Sequence, residues 1–354
     1  MNDNFFMEKA LRLSEKAKGL TSPNPWVGAV IVKNNKILGW GYHKGVGFSH
    51  AEKVAIEKAK NTKDAILYVT LEPCYHWGRT PPCTDEIIRA GIKKVVFSVK
   101  DPHPVGGSDV LRKSGIEVES GILEEKVKES LLPYLVSVSE LRPYVILKLA
   151  MSIDGKITAP TKYITSEKSR YIVHRLRAIS DAVLVGINTV MKDNPYLTAR
   201  VKDVKKHPIK VVIDPEMKIQ SNSNVINSGS NTIVFVSEDL KEIKNRFVSY
   251  IRTPYVVKEG RKMLSIEYIL KTLKKLGVIL LVVEGGAFTS YSFIENDFVD
   301  EVMLFFSPKV FGAGKSIEGP RYLEKKLRCV RIKKVGEDIL IRGSLKRDII
   351  MKFP

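Results

Sequence analysis

The sequence predicts an α/β protein of two domains, and three observations carry that prediction. The chain has 354 residues, more than one ordinary domain holds. Helix and strand patterns alternate along both halves. A fresh strand pattern starts at Tyr144, directly after Arg142-Pro143 closes a helix pattern. We place the division at residue 144, giving domains 1–144 and 145–354 with no Gly/Ser-rich linker between them. With 44% hydrophobic and 27% charged residues, the composition is that of a globular protein and excludes disordered and collagen-like classes. The longest strongly apolar run, Val278–Val283, falls far short of the roughly 18 residues of a membrane-spanning helix. No membrane partner is expected. The N-terminus shows no charged stretch followed by a uniform apolar one, and three cysteines cannot frame a disulfide scaffold. The expected compartment is the cytoplasm.

Taken in order, Phe5, Phe6, Leu11, Leu13 and Ala17 recur at helical spacing and predict a helix over 5–17, which Thr21–Pro25 ends. Val27–Val32 and Lys36–Tyr42 flank Asn34-Asn35 and read as a hairpin. Helices are expected at Ala51–Lys60 and Thr84–Ala90, and strands at Ala65–Thr70, Lys93–Val99 and Ile116–Glu119. Residues 123–140 form a closing helix. The second half opens on a strand at Tyr144–Met151. Further strands are expected at Ala182–Val185, Ile209–Ile213, Thr232–Val236, Val278–Val283 and Glu301–Phe306. Helices are expected at Glu167–Ile179, Asp239–Val248, Ile266–Leu276 and Ala287–Glu295. Parallel strands covered by helices fit this order, with antiparallel strands from Arg328 onward.

The formal net charge is +19, of which +15 lies in residues 145–354. A basic half suits anionic partners, either nucleic acid or phosphorylated small molecules. A Lys-rich surface accounts for it equally well, because no block concentrates the lysines.

The sharpest chemical signal is Ser-His-Ala-Glu-Lys (49–53) followed by Pro-Cys-Tyr-His-Trp-Gly-Arg-Thr-Pro-Pro-Cys (73–83). His50, Cys74 and Cys83 are the ligand types zinc favours, and His-x-Glu before Pro-Cys…Cys is the order of zinc-dependent nucleobase deaminases. His50 and Cys83 each precede a predicted helix, where free N–H groups favour a thiolate or an oriented ligand. Three protein ligands leave one tetrahedral position for water, the catalytic arrangement, and one zinc per chain is expected. Glu52, two residues past His50, is placed to carry protons from that water to the ring nitrogen and the departing ammonia. A fourth ligand from His76 would instead make the site structural.

In the second half, Phe311–Ser316 ends like a phosphate-binding Walker loop, but Lys309 stands where that motif needs glycine. No Gly-x-Gly-x-x-Gly follows the first strand. The strand Val278–Val283 running through Glu284 into Gly285-Gly286 and a helix is a better phosphate cradle, since glycine admits a close backbone approach and the helix N-terminus supplies donors.

Eight residues separate Cys74 from Cys83, where most deaminases of this class have two. That insert, with Thr21–Val30 (TSPNPWVGAV) upstream, resembles the deaminase domain of the bifunctional riboflavin-biosynthesis deaminase/reductases. Lys148–Thr158 (KLAMSIDGKIT), Thr165-Ser166, Gly186–Val190 (GINTV) and Asp193–Arg200 (DNPYLTAR) resemble the reductase domain of the same family. The resemblance spans essentially the whole chain. It implies a cytidine-deaminase-like three-layer first domain and a dihydrofolate-reductase-like second domain that uses NADPH. It also implies a phosphorylated pyrimidine as substrate, deaminated and then reduced from ribose to ribitol, and a homo-oligomer. Asn24, His43, His76, Arg79 and Thr80 match family positions near the deaminase substrate. Tyr163, Thr189 and Asp193 match positions along the cofactor, and so does Met151, where the family residue is usually smaller. Gly286, Ala287, Phe288, Thr289, Ser290, Tyr291 and Ser292 match its phosphate site. Thr161, Arg177, Leu197, Arg200 and Glu284 match reductase-substrate positions, the two arginines as ribose-phosphate clamps. Lys148 is expected to assist proton delivery. The chain departs from the family at Asp101–Val110 (DPHPVGGSDV), where His103 replaces an asparagine in a shortened loop.

Two other readings compete. One is a nucleic-acid deaminase with a basic RNA-binding half, against which stand the long Cys74–Cys83 insert and the lack of an aromatic-rich basic motif in residues 145–354. The other is a non-catalytic, zinc-scaffolded interaction module.

Overall fold

The computed structural model describes residues 3–77, 81–103, 106–159, 163–202, 204–240, 248–258, 260–319 and 321–346. The described residues up to 141 form one compact unit and those from 142 onward a second. Both are mixed α/β, each around its own sheet.

The first unit runs α1 (Asp3–Ser14, extended by a short 3-10 turn to Ala17), β1 (Gly28–Lys33), β2 (Lys36–Tyr42), α2 (Ala51–Ala59), β3 (Ile66–Leu71), α3 (Cys83–Arg89), β4 (Lys94–Val99), α4 (Ser108–Lys113), β5 (Glu117–Ser120) and α5 (Glu124–Ser139). The strand order is β2-β1-β3-β4-β5, antiparallel through β2, β1 and β3 and parallel from β3 onward. Asn34 and Asn35 both adopt positive φ, as the two-residue hairpin turn between β1 and β2 requires. Strand alternation splits the core. Ala29, Ile31, Leu67, Val69, Val95 and Phe97 face α2, α3 and α4, while Val30, Val32, Tyr68 and Val96 pack on α1. Helix α2 lies directly on β2 because Gly39 and Gly41 clear its path. A Cβ there would come within 2.3 Å of the Ala55 carbonyl oxygen and 2.5 Å of the Ala51 one. That close seat sets the height of His50 and Glu52.

The second unit runs β6 (Tyr144–Ser152), α6 (Glu167–Ile179), β7 (Ala182–Gly186), α7 (Ile187–Asp193), β8 (Ile209–Ile213), α8 (Asn224–Asn227), β9 (Thr232–Ser237), β10 (Ser249–Thr253), β11 (Tyr255–Lys258), β12 (Arg261–Leu264), α9 (Ile266–Lys275), β13 (Leu280–Val283), α10 (Ala287–Glu295), β14 (Glu301–Ser307), β15 (Arg328–Val335) and β16 (Asp338–Ser344). Its large sheet has the order β10-β9-β8-β7-β13-β6-β14-β16-β15, parallel from β10 to β14 and antiparallel over the last two pairings. β11 and β12 form a separate hairpin. The start of β6 is pinned by buried Asp300, which accepts two 2.7 Å bonds from Arg142 and one of 2.8 Å from the Val145 amide. β13 lies between β6 and β7, so neighbouring crossovers leave the sheet in opposite directions there and open a crevice at the strands' C-terminal ends.

The structure adds α4, α7, α8 and β10–β12 to the elements read from sequence. The helices are short, and the edge strands carry exposed charged residues, so neither shows a long apolar period. Strand β13 starts at Leu280, two residues later than expected. Of the helix expected at Asp239–Val248, residues 241–247 lie outside the described residues, and Asp239 forms a turn. Among the described residues, no helix is long and apolar enough to cross a membrane.

Candidate active sites

The three zinc-ligand candidates converge in the first unit. His50 caps the N-terminus of α2, Cys83 opens α3, and Cys74 follows β3, where it bridges to Gly106. His50 Nδ1 lies 3.1 Å from Cys83 Sγ and 3.6 Å from Cys74 Sγ, and all three donor atoms fall within 4.8 Å of one another. Zinc bonded at about 2.3 Å to sulfur and about 2.0 Å to nitrogen spaces tetrahedral ligand atoms about 3.5–3.8 Å apart, so the trio fits this ion. The donor chemistry agrees. A hydrogen bond from the Cys83 thiol, with help from His50, pulls the Cys74 thiol down to about 4. Cys83, bonded to that thiolate and buried, is pushed well above its usual value. Two sulfurs this close cannot both ionise without a cation between them. Among the described residues, this is the one group of His, Cys, Asp or Glu close enough to hold a metal ion.

Glu52 sits in the first turn of α2, 4% exposed, beside the Cys83 thiol. Burial raises its carboxyl, and His50 pulls the other way. His43 packs its ring edge-on against His50, with centroids 5.3 Å apart. The Ser49 carbonyl can only accept, so His43 Nδ1 donates to it at 3.3 Å. Nε2 then accepts from Asn24 Nδ2, also at 3.3 Å. Burial lowers the His43 pKa, which favours the neutral ring. Asn24 and His43 therefore reach the zinc trio as one bonded pair. His76 is exposed and stands outside the donor group. Arg79 and Thr80 lie outside the described residues.

In the second unit a cleft of about 2170 Å³ opens at the C-terminal ends of β6, β7 and β13. Its centre is an ion cluster. Arg177, on α6, meets Glu284, just past β13, through Nε to Oε1 at 2.6 Å and Nη2 to Oε2 at 2.8 Å. Lys148 Nζ of β6 stands 3.6 Å from Glu284 Oε2. Burial opposes charge on Glu284, yet Arg177 and Lys148 hold its pKa down to about 2. Burial, helped by Arg177, lowers the Lys148 ammonium against the pull of Glu284. The third Arg177 nitrogen, Nη1, donates to the Thr198 carbonyl at 3.2 Å. The guanidinium expected to clamp a phosphate is thus turned onto protein acceptors.

Thr189 and Asp193 on α7 line the same cleft, as do Leu197, Arg200 and Tyr163, the last stacked under the Arg170 guanidinium at 4.1 Å. So do Gly286, Ala287, Phe288, Thr289 and Ser292. Gly285 and Gly186 let the Thr289 side chain wedge between β7 and α10, since a Cβ on either would stand 2.5–2.6 Å from it. Three of the residues expected along the cofactor do not line this cleft. Strand alternation sends Met151 into the core with Leu147 and Leu149, while Lys148 and Ala150 face the cleft. Helical rotation turns Ser290 and Tyr291 away: the Ser290 hydroxyl donates to the Gly285 carbonyl, and the Tyr291 hydroxyl reaches Glu295 and the Arg321 carbonyl. Thr161 lies outside the described residues. Sequence reasoning missed His174, which lines the cleft and accepts the Arg200 amide on Nδ1 at 3.3 Å. Its spacing of three residues from Arg177 on one helix face was the available signal.

Comparison with known proteins finds a matching family for each half of the chain. Residues 1–99 match the cytidine and deoxycytidylate deaminase zinc-binding region, and residues 143–341 match the RibD C-terminal domain. The riboflavin biosynthesis protein RibD of Aquifex aeolicus is 42% identical over 354 residues, covering 96% of this chain and 97% of that protein. Its counterpart in Bacillus amyloliquefaciens is 36% identical, covering 97% and 96%. Among solved structures, the diaminohydroxyphosphoribosylaminopyrimidine deaminase/5-amino-6-(5-phosphoribosylamino)uracil reductase of Thermotoga maritima superposes with a TM-score of 0.87 at 36% identity, covering 97% of this chain and 99% of that one. The first unit is cytidine-deaminase-like and the second has the dihydrofolate-reductase-like fold of the matched reductase domain.

Proposed function

The chain belongs to the RibD family, the bifunctional deaminase/reductases of riboflavin biosynthesis, and from that premise we propose how its residues divide the two reactions. The enzyme hydrolytically deaminates 2,5-diamino-6-(5-phosphoribosylamino)pyrimidin-4-one and then reduces the ribosyl group with NADPH to give 5-amino-6-(5-phosphoribitylamino)uracil. We assign the zinc-dependent deaminase to residues 1–144 and the reductase to residues 145–354.

In the deaminase, His50, Cys74 and Cys83 hold zinc, which when bound supplies a Lewis acid that activates water at neutral pH. Glu52 takes one proton from the attacking water and passes it to the ring nitrogen, then takes the second from the hydroxyl of the adduct and passes it to the amino group, which leaves as ammonia. Its burial beside the ligand trio supports that role. The Asn24–His43 pair reads the ring edge, its polarity fixed by the Ser49 carbonyl. His76, Arg79 and Thr80 serve to bind the ribose-phosphate portion of the substrate.

In the reductase, NADPH supplies the hydride. The amide end of α10, from Gly286 to Thr289 with Ser292, holds its phosphates, and Thr189, Asp193 and Tyr163 line its path. Lys148, lowered by burial, donates the proton that accompanies hydride arrival at the opened ribose. Thr161, Leu197 and Arg200 contact the substrate. Arg177 acts through Glu284, leaving Arg200 as the phosphate-binding cation. The enzyme works as a cytoplasmic homo-oligomer without a nucleic-acid partner. Support for small phosphorylated ligands as the reason for the basic charge comes from Lys192, Lys218, Lys258, Arg261 and Lys262, all of which line the cleft.

The observation that carries this reading is the zinc-fitting trio with Glu52 beside it, in a unit separate from the ion cluster. The test pairs metal analysis and ammonia release on the diaminopyrimidinone with NADPH oxidation on its deaminated product. One zinc per chain and both activities are expected. A chain that oxidises NADPH but releases no ammonia with zinc bound refutes the deaminase assignment.

A further inference from the structure

We propose that Glu72 is a positioning residue of the deaminase site, its buried carboxylate tying the 101–108 segment to both cysteine ligands. The inference rests on the zinc-site assignment and names a residue that lies outside the trio.

Glu72 follows β3 directly and is 3% exposed. Its two oxygens accept main-chain N–H groups from both ends of one segment, Oε2 from Asp101 at 3.3 Å and Oε1 from Ser108 at 3.0 Å. Among the described residues, no ion pair with a cationic side chain is found at this carboxylate. A buried carboxylate is tolerated when amide donors saturate it, and each such charge-assisted bond is stronger than a neutral one. Gly106 is packed against the carboxylate itself: a Cβ there would lie 2.4 and 2.5 Å from the two oxygens.

From there the contacts reach both ligands. Gly106 pairs with Cys74 in an antiparallel bridge, and the Gly107 amide donates to the Pro73 carbonyl at 3.1 Å. A Cβ at Gly107 would stand 2.4 Å from Thr84 Cγ2, and the Thr84 amide donates to the Cys74 carbonyl at 3.2 Å. Thr84 is the neighbour of Cys83. Asp101 in turn accepts the Tyr134 hydroxyl of α5 at 3.2 Å, which anchors the far end of the segment. One carboxylate therefore joins the main chain of Cys74 and the start of α3 through a segment that itself supplies no ligand. The role requires two acceptor oxygens. A glutamine would turn its NH₂ toward one of the two N–H donors and break half of the clamp.

The test uses the full-length chain with Glu72→Gln and, as an independent perturbation of the same contact, Gly106→Ala. Zinc affinity is measured by competition with a chromophoric chelator. The ligand field is read from the absorption of the cobalt-substituted protein, and folding is checked by far-UV circular dichroism and thermal unfolding for the deaminase unit and by reductase turnover on deaminated substrate for the second unit. Supporting groups around metal ligands typically change affinity about 10–100-fold. Both variants are expected to lose zinc affinity in that range, to shift the thiolate-to-cobalt bands and to lose deaminase kcat, with reductase turnover unchanged. Wild-type affinity and bands in Glu72→Gln overturn the proposal. Loss of reductase turnover in both variants overturns it as well, because Glu72 would then support the fold at large. Failure of the underlying assignment looks different: the unmodified chain would bind no zinc, or Cys74→Ser would bind it normally.

Discussion

Arg177 and Glu284 meet side-on, two parallel N–H···O bonds of 2.6 and 2.8 Å joining residues 107 positions apart in the sequence. Both are nearly buried, and Lys148 adds a second cation 3.6 Å from the same carboxylate. The fork geometry locks the carboxylate plane, which in turn orients the Lys148 ammonium toward the cleft. Three charges from α6, β6 and the end of β13 thus converge where the proposed proton delivery takes place.

Removing the shared carboxylate leaves two buried cations with no counter-charge. Breaking a buried pair from one side costs about 3–5 kcal/mol. Glu284→Gln should therefore lower the unfolding free energy of the reductase unit by about that amount in denaturant titration and depress NADPH oxidation. A loss under about 1 kcal/mol would mean that water reaches the cluster.

Arg200→Ala should raise the reductase KM for the phosphorylated substrate about tenfold or more, since a charged hydrogen bond is worth about 1.5–3 kcal/mol and about 1.4 kcal/mol is a decade. The Kd for NADPH should hardly move, because its phosphates are assigned to the start of α10. Steady-state kinetics with direct NADPH titration separates the two. Collapse of NADPH binding with an unchanged KM would move Arg200 to the cofactor.

Glu52→Gln keeps the side chain's shape and removes its proton-carrying capacity. One zinc per chain should remain by metal analysis, while ammonia release falls about 10²–10⁴-fold. Reductase turnover on deaminated substrate should be unaffected. Wild-type ammonia release would exclude Glu52 as the proton carrier.

Burial, with Arg177 and Arg200 nearby, lowers the His174 pKa to about 4 from an ordinary value near 6.5. The Thr198 carbonyl and the Glu284 carboxylate pull it upward, and the two arginines outweigh them. Between those two values the unfolded chain binds a proton that the folded chain refuses. The folded state therefore loses stability as pH falls from about 6.5 toward 4, and above that window the contribution is constant. His174→Gln should show a smaller drop in Tm between pH 7 and pH 4.5 than the unmodified chain. Equal drops would place the acid sensitivity elsewhere.

Much of the deaminase site was legible from sequence because its information is local. Ligand identity, the two-residue step from His50 to Glu52 and the helix starts after His50 and near Cys83 need no knowledge of distant residues. The near-continuous apolar runs at β1, β3 and β4 and the longer helical periods at α1, α2 and α6 were readable for the same reason. The strands β10–β12 and helices α4, α7 and α8 are too short or too polar for a period to register, and their positions come from what they pack against.

The resemblance also named residues whose direction only the fold settles. Ser290 and Tyr291 share a run with Phe288 and Thr289, yet 100° per residue turns them to the other side of α10. Met151 differs from Lys148 only in strand parity and the depth of the core behind it. What the sequence by itself determined is the chemistry available: a His, two Cys and a Glu in deaminase order, and a glycine-opened helix after a buried strand. The tertiary structure decided which charges neutralise one another. Arg177 finds Glu284 and Glu72 finds the amides of Asp101 and Ser108 only after the sheets have formed, because burial makes an unpaired charge too costly to leave facing an apolar interior.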